Sequence, residues 1–554
     1  MIDKSLKVIS LDTENDPSGC LGRWSFAFRD NQGKLCVCSN EGASHKHELE
    51  ELFKKCTVVF QNFPWDARVL CNNKMPVPEH TVDTMVAAYC LGLGSQDVGK
   101  GDGDPGMVGG LGLKYLARRH LGMEMKTWLE VKDRPDLVPE YNAADSVATL
   151  LLWEKWEKTL PKHFWQIDMP LQAVLMAMED RGIAIDPKML GSFEKVLGEE
   201  LGKIDLPLNP FSNPQIQSYV YGELGIEPWK FTEAGAPRVD EDVLETIDDP
   251  VVKTILAYKS LYKEKDTYAD NYTKGMTLDG RIHTQFKQCR TSTARLSSSK
   301  PNLQNVPKEG NMRKLFIAGK GKKLILADAK QIELICNAII APEPHMLDLY
   351  RKLIAGEDVD IHRDTSEALH KDRDFAKHLN FMMQNCRDIR DAAWKLSMEL
   401  KLPINEATEF VKAYYKQYPG LLAYKQRIIE ESKLTKRVTN RFGRTLRIDA
   451  LYAEDWRIRR EGEREAICFP VQSLAGEVIK LAMIDLHYKH AAPMLLQEHD
   501  ALMFEVDEKD ALEYAHWLKD YLPTITEIDG IHFPYDVGMG DSWWECKQKE
   551  NEIK

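Results

Sequence analysis

The 554-residue chain has little that would tie it to a membrane, an exported scaffold or a repeat array. No apolar run approaches the ~20 residues of a bilayer span. The start, MIDKSLKVISLD, lacks the basic cluster, apolar stretch and small-residue cleavage site of a secretory signal. The expectation is a protein that stays in the cytoplasm where it is made, with no membrane partner. Eleven cysteines are scattered, and only Cys36 and Cys38 stand close together. That spacing excludes a zinc framework, and an odd count in an unexported chain argues against disulfides, so all read as reduced, mostly buried fillers. No internal repeat or low-complexity tract occurs. The glycines of GLGSQDVGKGDGDPGMVGGLGL, from Gly92 to Leu113, have no strand leading into them, as a phosphate or dinucleotide loop requires, and read as a flexible surface loop. Acids outnumber bases overall, 86 Asp and Glu against 74 Lys and Arg, for a net charge of −12.

What is present is uneven. Eleven Lys and Arg lie between Arg281 and Lys323 against one acid, Glu309, and ten lie between Lys433 and Arg464 against five acids. Local basic surface, more than total charge, tracks a phosphate backbone. The length implies three or four domains. The first ~160 residues alternate short apolar strands (KVISL, KLCVCS, CTVVF) with helical segments such as GLKYLARRHLG, an α/β pattern. Helical periodicity dominates about 163–280 and 345–435, and the C-terminal part mixes helices with short strands.

Acids recur at ordered spacings. In VISLDTEND, Asp12 and Glu14 are two apart and share one face of a strand. In QNFPWDARVL, Asn62 and Asp66 are four apart, with Pro64 suited to a first helical turn. Tyr141 and Asp145 are again at i, i+4 on one helix face. Four acids on three elements could hold two divalent ions about 4 Å apart, the arrangement that cleaves phosphodiesters, with Tyr141 orienting a water. The ordered set Asp-x-Glu, Asn-x3-Asp, Tyr-x3-Asp resembles the proofreading 3′–5′ exonucleases of the DnaQ-like superfamily. By that resemblance Asp12, Glu14, Asp66 and Asp145 would be metal ligands, Tyr141 catalytic and Asn62 a DNA contact.

The segment GRIHTQFKQCRTSTARLSSSKPNLQNVP, 280–307, offers Arg295 and serines to phosphates, and the amides of Asn302, Gln304 and Asn305 to acceptors common to all base pairs. It strongly resembles the family A DNA polymerases, where this stretch lies along the primer–template duplex. DAKQIEL resembles the family's first palm motif. Asp328 would be shared by two Mg²⁺ ions, the Ala329 carbonyl could be a ligand, Gln331 would lie at the nucleotide, and Glu333 would close the space beside the sugar 2′ position. RDFAKHLNF resembles the second motif: Arg373, Lys377 and Phe381 would meet the triphosphate, sugar and base, and Lys377 could protonate the leaving pyrophosphate. His362 of DIH resembles the family's phosphate-contacting histidine. In LLQEHDALMFEV, His499 and Asp500 match the third motif, where Ala501 replaces a second acid. Glu498, two residues from Asp500, would supply the missing charge if the backbone there is extended. By the same resemblance Arg464 and Gln472 would contact the duplex. Asn385 and Cys386 replace a Tyr-Gly of the family, so template-base positioning by that ring does not carry over.

The resemblance implies a multidomain α/β and α+β chain, an RNase H-like exonuclease domain followed by a right-hand polymerase. Its expected parts are an exonuclease domain at 1–162, thumb at 163–285, palm at 286–344 and 441–554, and fingers at 345–440. It implies template-directed synthesis with proofreading, two Mg²⁺ ions per site with Mn²⁺ as a substitute, and primer–template DNA and deoxynucleoside triphosphates as partners. A monomer is expected, with accessory replication proteins as further partners. Compact size, the absence of a preceding 5′-nuclease and the motif departures suggest a phage enzyme working in a host cytoplasm. The rival reading is a 3′–5′ nuclease whose polymerase half, altered at Ala329, Asn385 and Ala501, only binds DNA; a non-catalytic binder is a third.

Overall fold

A computed structural model describes residues 7–15, 21–42, 46–93, 110–232, 235–307 and 311–548. Most of the glycine-rich stretch, residues 94–109, and the pair Lys308 and Glu309 lie outside them.

The N-terminal unit is built on a five-stranded sheet in the order β3-β2-β1-β4-β5: β1 (Val8–Asn15), β2 (Leu21–Arg29), β3 (Leu35–Glu41), β4 (Thr57–Phe60) and β5 (Thr81–Asp83). β1–β2 and β2–β3 are antiparallel, whereas β4 and β5 run parallel to β1. β1 is therefore central, and Ile9 and Leu11 are buried. The strand β2, LGRWSFAFR, was not among the expected strands; its Trp24 and Phe26 are almost wholly buried. Helix Val138–Trp156 crosses the sheet, with Ser10 Oγ donating to Ser146 O at 2.6 Å and Ser25 Oγ to Asn142 O at 2.7 Å.

Short strands follow: β6 (Ile183–Ile185), β7 (Arg281–Ile282), β8 (Gln285–Lys287), β9 (Ser297–Ser299) and β10 (Phe316–Ile317). β6 lies between β10 and β7, and β8 pairs with β9. Between β6 and β7 two long helical stretches, from Pro187 to Lys203 and from Pro250 through Gly275, flank a small separate core that includes Ile216, Val220, Leu244 and Ile255.

The largest core surrounds a four-stranded antiparallel sheet in the order β14-β15-β11-β18. Its strands are β11 (Lys322–Ala329), β14 (Met494–Glu498), β15 (Ala501–Asp507) and β18 (Tyr535–Gly540); β12 (Arg437–Thr439) with β13 (Thr445–Arg447), and β16 (Glu527–Ile528) with β17 (Ile531–His532), are two-stranded ladders. Leu324 to Ala327 are at most 1% exposed, as a strand covered on both faces requires. Six helices between Pro344 and Thr435 pack against one another and against helices Ile332–Ile340 and Trp456–His490. The 35-residue helix Trp456–His490 contains an 18-residue window with mean hydropathy 1.5, contrary to the expectation that no segment reaches a membrane-spanning length and composition. Of that window 72% is buried inside the protein, and the helix carries the buried Glu477 and Lys480. It is a core helix.

Candidate active sites

The first site forms where β1 meets helix Val138–Trp156. Alternation along β1 puts Asp12 and Glu14 on one face, and the helix brings Asp145 to them. One oxygen from each of the three lies within 4.8 Å of the other two. Asn142 Nδ2 donates to Asp12 Oδ2 at 2.6 Å. Burial, then the neighbouring charges of Asp145 and Glu14, push the Asp12 carboxyl well above its ordinary range. Three converging carboxylates form a hard, all-oxygen donor set, which fits a divalent cation of the Mg²⁺ or Mn²⁺ kind.

Asp66, expected as a fourth ligand, stands outside that mutually close trio but lines the same cavity, near enough for its charge to act on Asp12 and for that of Glu14 to act on it. It lies in the first turn of helix Phe63–Asn72, with Pro64 in that turn, and its Oδ1 accepts from Thr13 N at 3.0 Å and Thr13 Oγ1 at 2.7 Å. Burial pushes Asp66 up to about 8 against the lowering effect of those hydrogen bonds. Asn62 caps the same helix in the left-handed region, φ 71°, and its N–H donates to Asp83 Oδ1 at 3.0 Å. Tyr141 stands one turn before Asp145, and both meet Lys114, which the motif reading missed. Lys114 Nζ pairs with Asp145, donates to Tyr141 Oη at 3.1 Å and lies 4.1 Å above the Tyr141 ring. The visible signal was its place between the apolar Leu113 and Leu116, on the buried shoulder of helix Leu113–Leu121.

The second site lies at the end of β11. In register, Asp328 faces Ala501 on β15 and Asp536 on β18. Asp500 sits in the two-residue turn between β14 and β15, and Ala329 N donates to Asp500 O at 3.2 Å, so the two segments touch. Cations attend the acids. Lys547 Nζ donates to Asp328 Oδ2 at 2.5 Å, Lys330 pairs with Asp536 at 2.5 Å, and Arg295 pairs with Glu333 and lies 3.6 Å from Asp500 Oδ1. Oxygen donors on two abutting segments again suit a hard cation.

Glu498 does not fill the vacancy left by Ala501. The backbone after it is not extended: His499 has φ 52°, and the chain turns. Glu498 instead pairs with Arg313, which is 2% exposed and stacks 4.6 Å from the Trp543 ring. A buried carboxylate so compensated is committed to its partner.

Helix Arg373–Gln384 carries Arg373, Lys377 and Phe381 in successive turns. Arg373 pairs with Asp360 at 2.6 Å, Lys377 is exposed, and the Phe381 ring lies 5.7 Å from that of His362. Burial, then the cations Arg373 and Lys377 set against Asp360, hold His362 down to about 4. Gln331, at φ 51°, precedes helix Ile332–Ile340 and accepts from Tyr350 Oη at 3.3 Å. Asn385, past the end of the Arg373 helix, accepts from Cys468 Sγ at 3.2 Å.

Several expected DNA contacts are turned to internal use. Arg295 is engaged by acids rather than offered outward. Gln304 is buried and donates to Gln497 Oε1 at 2.7 Å, because a buried amide must find a partner. Asn302 Oδ1 accepts from Gln304 N at 3.0 Å and from Ser298 Oγ at 2.9 Å, holding the loop. Asn305 is exposed, Gln472 half-buried, and Arg464 is exposed and paired with Glu461. His499 is exposed at the turn. The basic stretches are also less uniform than the sequence suggests: Arg281 pairs with Glu505, Lys322 with Asp507, Arg441 with Asp529 and Arg460 with Asp391.

Comparison with known proteins follows this division of the chain. The family model for DNA polymerase family A matches residues 189–545, and the model for a 3′-5′ exonuclease matches residues 1–161. DNA polymerase I of Pseudomonas aeruginosa is 30% identical over 532 residues, covering 88% of this chain and 56% of that protein. The thermostable DNA polymerase I of Thermus aquaticus is 31% identical over 427 residues, 72% of this chain and 50% of the relative. The chain thus spans about half the length of the curated relatives it matches. The fold matches the POL domain of Pol1 from M. smegmatis, solved in complex with DNA primer-template and dNTP, with a TM-score of 0.80 at 22% identity over 97% of this chain and 96% of that one. The polymerase family and the exonuclease domain use divalent metal ions.

Proposed function

The chain belongs to DNA polymerase family A, and from that membership we propose that it extends a DNA primer along a template and removes nucleotides from the 3′ end at a second site. The observation that carries this reading is two separate acid sites on two separate sheets: Asp12, Glu14 and Asp145 on one, Asp328 and Asp500 on the other. Mg²⁺, two ions per site, would supply activation of a water or of the primer 3′-hydroxyl and neutralise phosphate charge. In the first site Tyr141, held by Lys114, would orient the attacking water. In the second, Glu333 would close the sugar pocket, and Arg373 and Lys377 would receive the triphosphate. Phe381 lies tilted beside His362 and would present its ring to the base. Expected domain limits are those of the motif reading, with thumb 163–285, fingers 345–440 and palm in two parts.

The cations seated on Asp328 and Glu333 favour a second reading, a 3′–5′ nuclease with a DNA-binding polymerase half. A labelled primer–template with Mg²⁺ separates the two: extension on adding deoxynucleotides supports synthesis, and shortening under all conditions supports the nuclease alone. Asp328→Asn is expected to abolish extension and leave 3′ digestion. Asp12→Ala with Glu14→Ala is expected to do the reverse. Loss of both activities in either folded variant would contradict the assignment.

A further inference from the structure

Negative charge is concentrated in the small unit between β6 and β7. Residues 204–250 hold ten Asp and Glu against two Lys and Arg, a balance of −8 within the chain's net −12. The two cations are engaged at home: Lys230 pairs with Asp240 and Asp242, and Arg238 with Asp240. Asp248 pairs with Lys253, and Asp249 caps helix Pro250–Tyr262, accepting from Val251 N at 2.9 Å and Val252 N at 3.0 Å. Among the described residues Glu223, Glu227 and Glu245 are exposed and have no cation partner. A surface this negative repels a phosphate backbone, which proteins hold through cations.

The segments that carry these three acids also line a pocket of about 330 Å³. Leu224 and Ile226 come from the first segment, and Val243 and Ile247 from helix Glu241–Leu244 and the residues after it. Ile247 belongs to the small core, so the pocket is built on that core. Trp229 completes the lining and is 59% exposed. An indole left in water beside an apolar hollow keeps much of its apolar surface unburied, and such anchors carry most of the energy of protein interfaces. The hollow lies at the small end of ligand cavities, which run to ~300–1,000 Å³, and so suits one side chain of a docking segment. Acids spread over the whole of 204–250 suit several cations rather than one. No residue of either acid site lines this pocket.

We propose that the pocket docks a segment of a partner protein in which a large apolar side chain, leucine or an aromatic, is flanked by lysines or arginines. The apolar side chain enters against Trp229, and the cations meet Glu223, Glu227 and Glu245. Such docking goes beyond synthesis and digestion and depends on neither.

The test is fluorescence anisotropy of the full chain with a fluorescein-labelled peptide, Lys-Lys-Leu-Phe-Lys-Lys, at low and high salt. Saturable one-to-one binding is expected, weaker as salt rises. Trp229→Ser is expected to weaken it roughly tenfold or more, with extension and 3′ digestion unchanged. The peptide Lys-Lys-Ser-Ser-Lys-Lys, of equal charge, is expected to lose a similar factor. Glu223→Gln, Glu227→Gln and Glu245→Gln together are expected to weaken binding at low salt and to flatten its salt dependence. Absence of saturable binding by the parent would overturn the proposal. So would equal binding of the two peptides or an unchanged Kd for Trp229→Ser, since diffuse charge alone would then hold the cations. Weaker binding of a paired primer–template by Trp229→Ser would put this surface on DNA, and parental self-association lost in Trp229→Ser would put a second copy of the chain there; either result overturns it. If Trp229→Ser does not fold, the three glutamine substitutions carry the test, and an unaltered salt dependence overturns it.

Discussion

At the scale of single residues, environment decides what a motif letter can do. His362 stands in DIH as a phosphate contact, yet it is 2% exposed, and its Nδ1 lies 3.1 Å from Asn380 Nδ2. Its folded value of about 4 lies below the unfolded 6.5, so between these pH values the unfolded chain binds the extra proton. Stability from this group is present above about pH 6.5 and is lost as pH falls toward 4, an effect of ~3 kcal/mol at most. His362→Gln is expected to flatten the pH dependence of urea unfolding across that window, and an unaltered slope would remove His362 as its source. Glu498 shows the same dependence on surroundings. Its distance in sequence from Asp500 suggested a shared metal, whereas the turn at His499 and the guanidinium of Arg313 give it a structural partner.

At the scale of elements, the helix Arg373–Gln384 illustrates how a functional stripe is held. Its exposed face carries Arg373, Lys377 and Phe381, and its buried face packs Leu379, Met382 and Met383. Its C-terminal end is held from below. Lys425, 1% exposed, donates from Nζ to Met383 O and, at 2.7 Å, to Cys386 O. Burial holds that ammonium down to about 8. Carbonyls at a helix end lack intrahelical partners, so this lysine acts as a buried cap. Lys425→Met is expected to cost about 1–3 kcal/mol in urea unfolding. It should also speed hydrogen exchange at the end of the helix, and exchange unchanged there would contradict the capping role. The spacing of four in RDFAKHLNF made the stripe legible; the cap comes from a helix about forty residues further on and has no local signature.

At the scale of the whole molecule, the two halves are joined through a buried ionic network. Arg444 donates to Asp168 Oδ2 at 2.8 Å and to Glu477 Oε1 at 2.7 Å, and His163 Nδ1 lies 2.8 Å from Asp168 Oδ2. Burial pushes the Asp168 carboxyl up, but Arg444 and then His163 hold it well below the usual carboxylate range. Asp168 precedes helix Met169–Arg181 and Glu477 lies in the core helix Trp456–His490, while Cys90 Sγ of the N-terminal unit donates to Asp168 Oδ2 at 3.2 Å and Arg444 lies 5.5 Å from the Tyr89 ring, so the network ties that unit to the rest of the chain. Arg444→Met would leave two buried carboxylates without their cation, a loss of ~3–5 kcal/mol. The expected outcome is a lower Tm with separation of the unfolding transitions of the two halves in calorimetry. A single transition at the parental Tm would contradict the linking role.

The sequence alone determined the division into an α/β unit and a larger mixed unit, because strand alternation and helical periodicity are local properties of a few residues. It also paired Asp12 with Glu14 and Tyr141 with Asp145, since residues at spacings of two and four share a face whatever surrounds them, whereas Asp328 and Asp500 were legible only through their resemblance to the polymerase motifs. Tertiary structure decided which side chains remain available. It drew Lys114 onto Asp145, Thr13 onto Asp66, Arg313 onto Glu498, Gln497 onto Gln304 and Arg295 onto Glu333, and it set Lys287 and Lys300 into a cleft begun nearly three hundred residues earlier. The physical reason is that buried polar and charged groups must be paired, and their partners are supplied by whichever distant segment the packing of hydrophobic cores brings alongside.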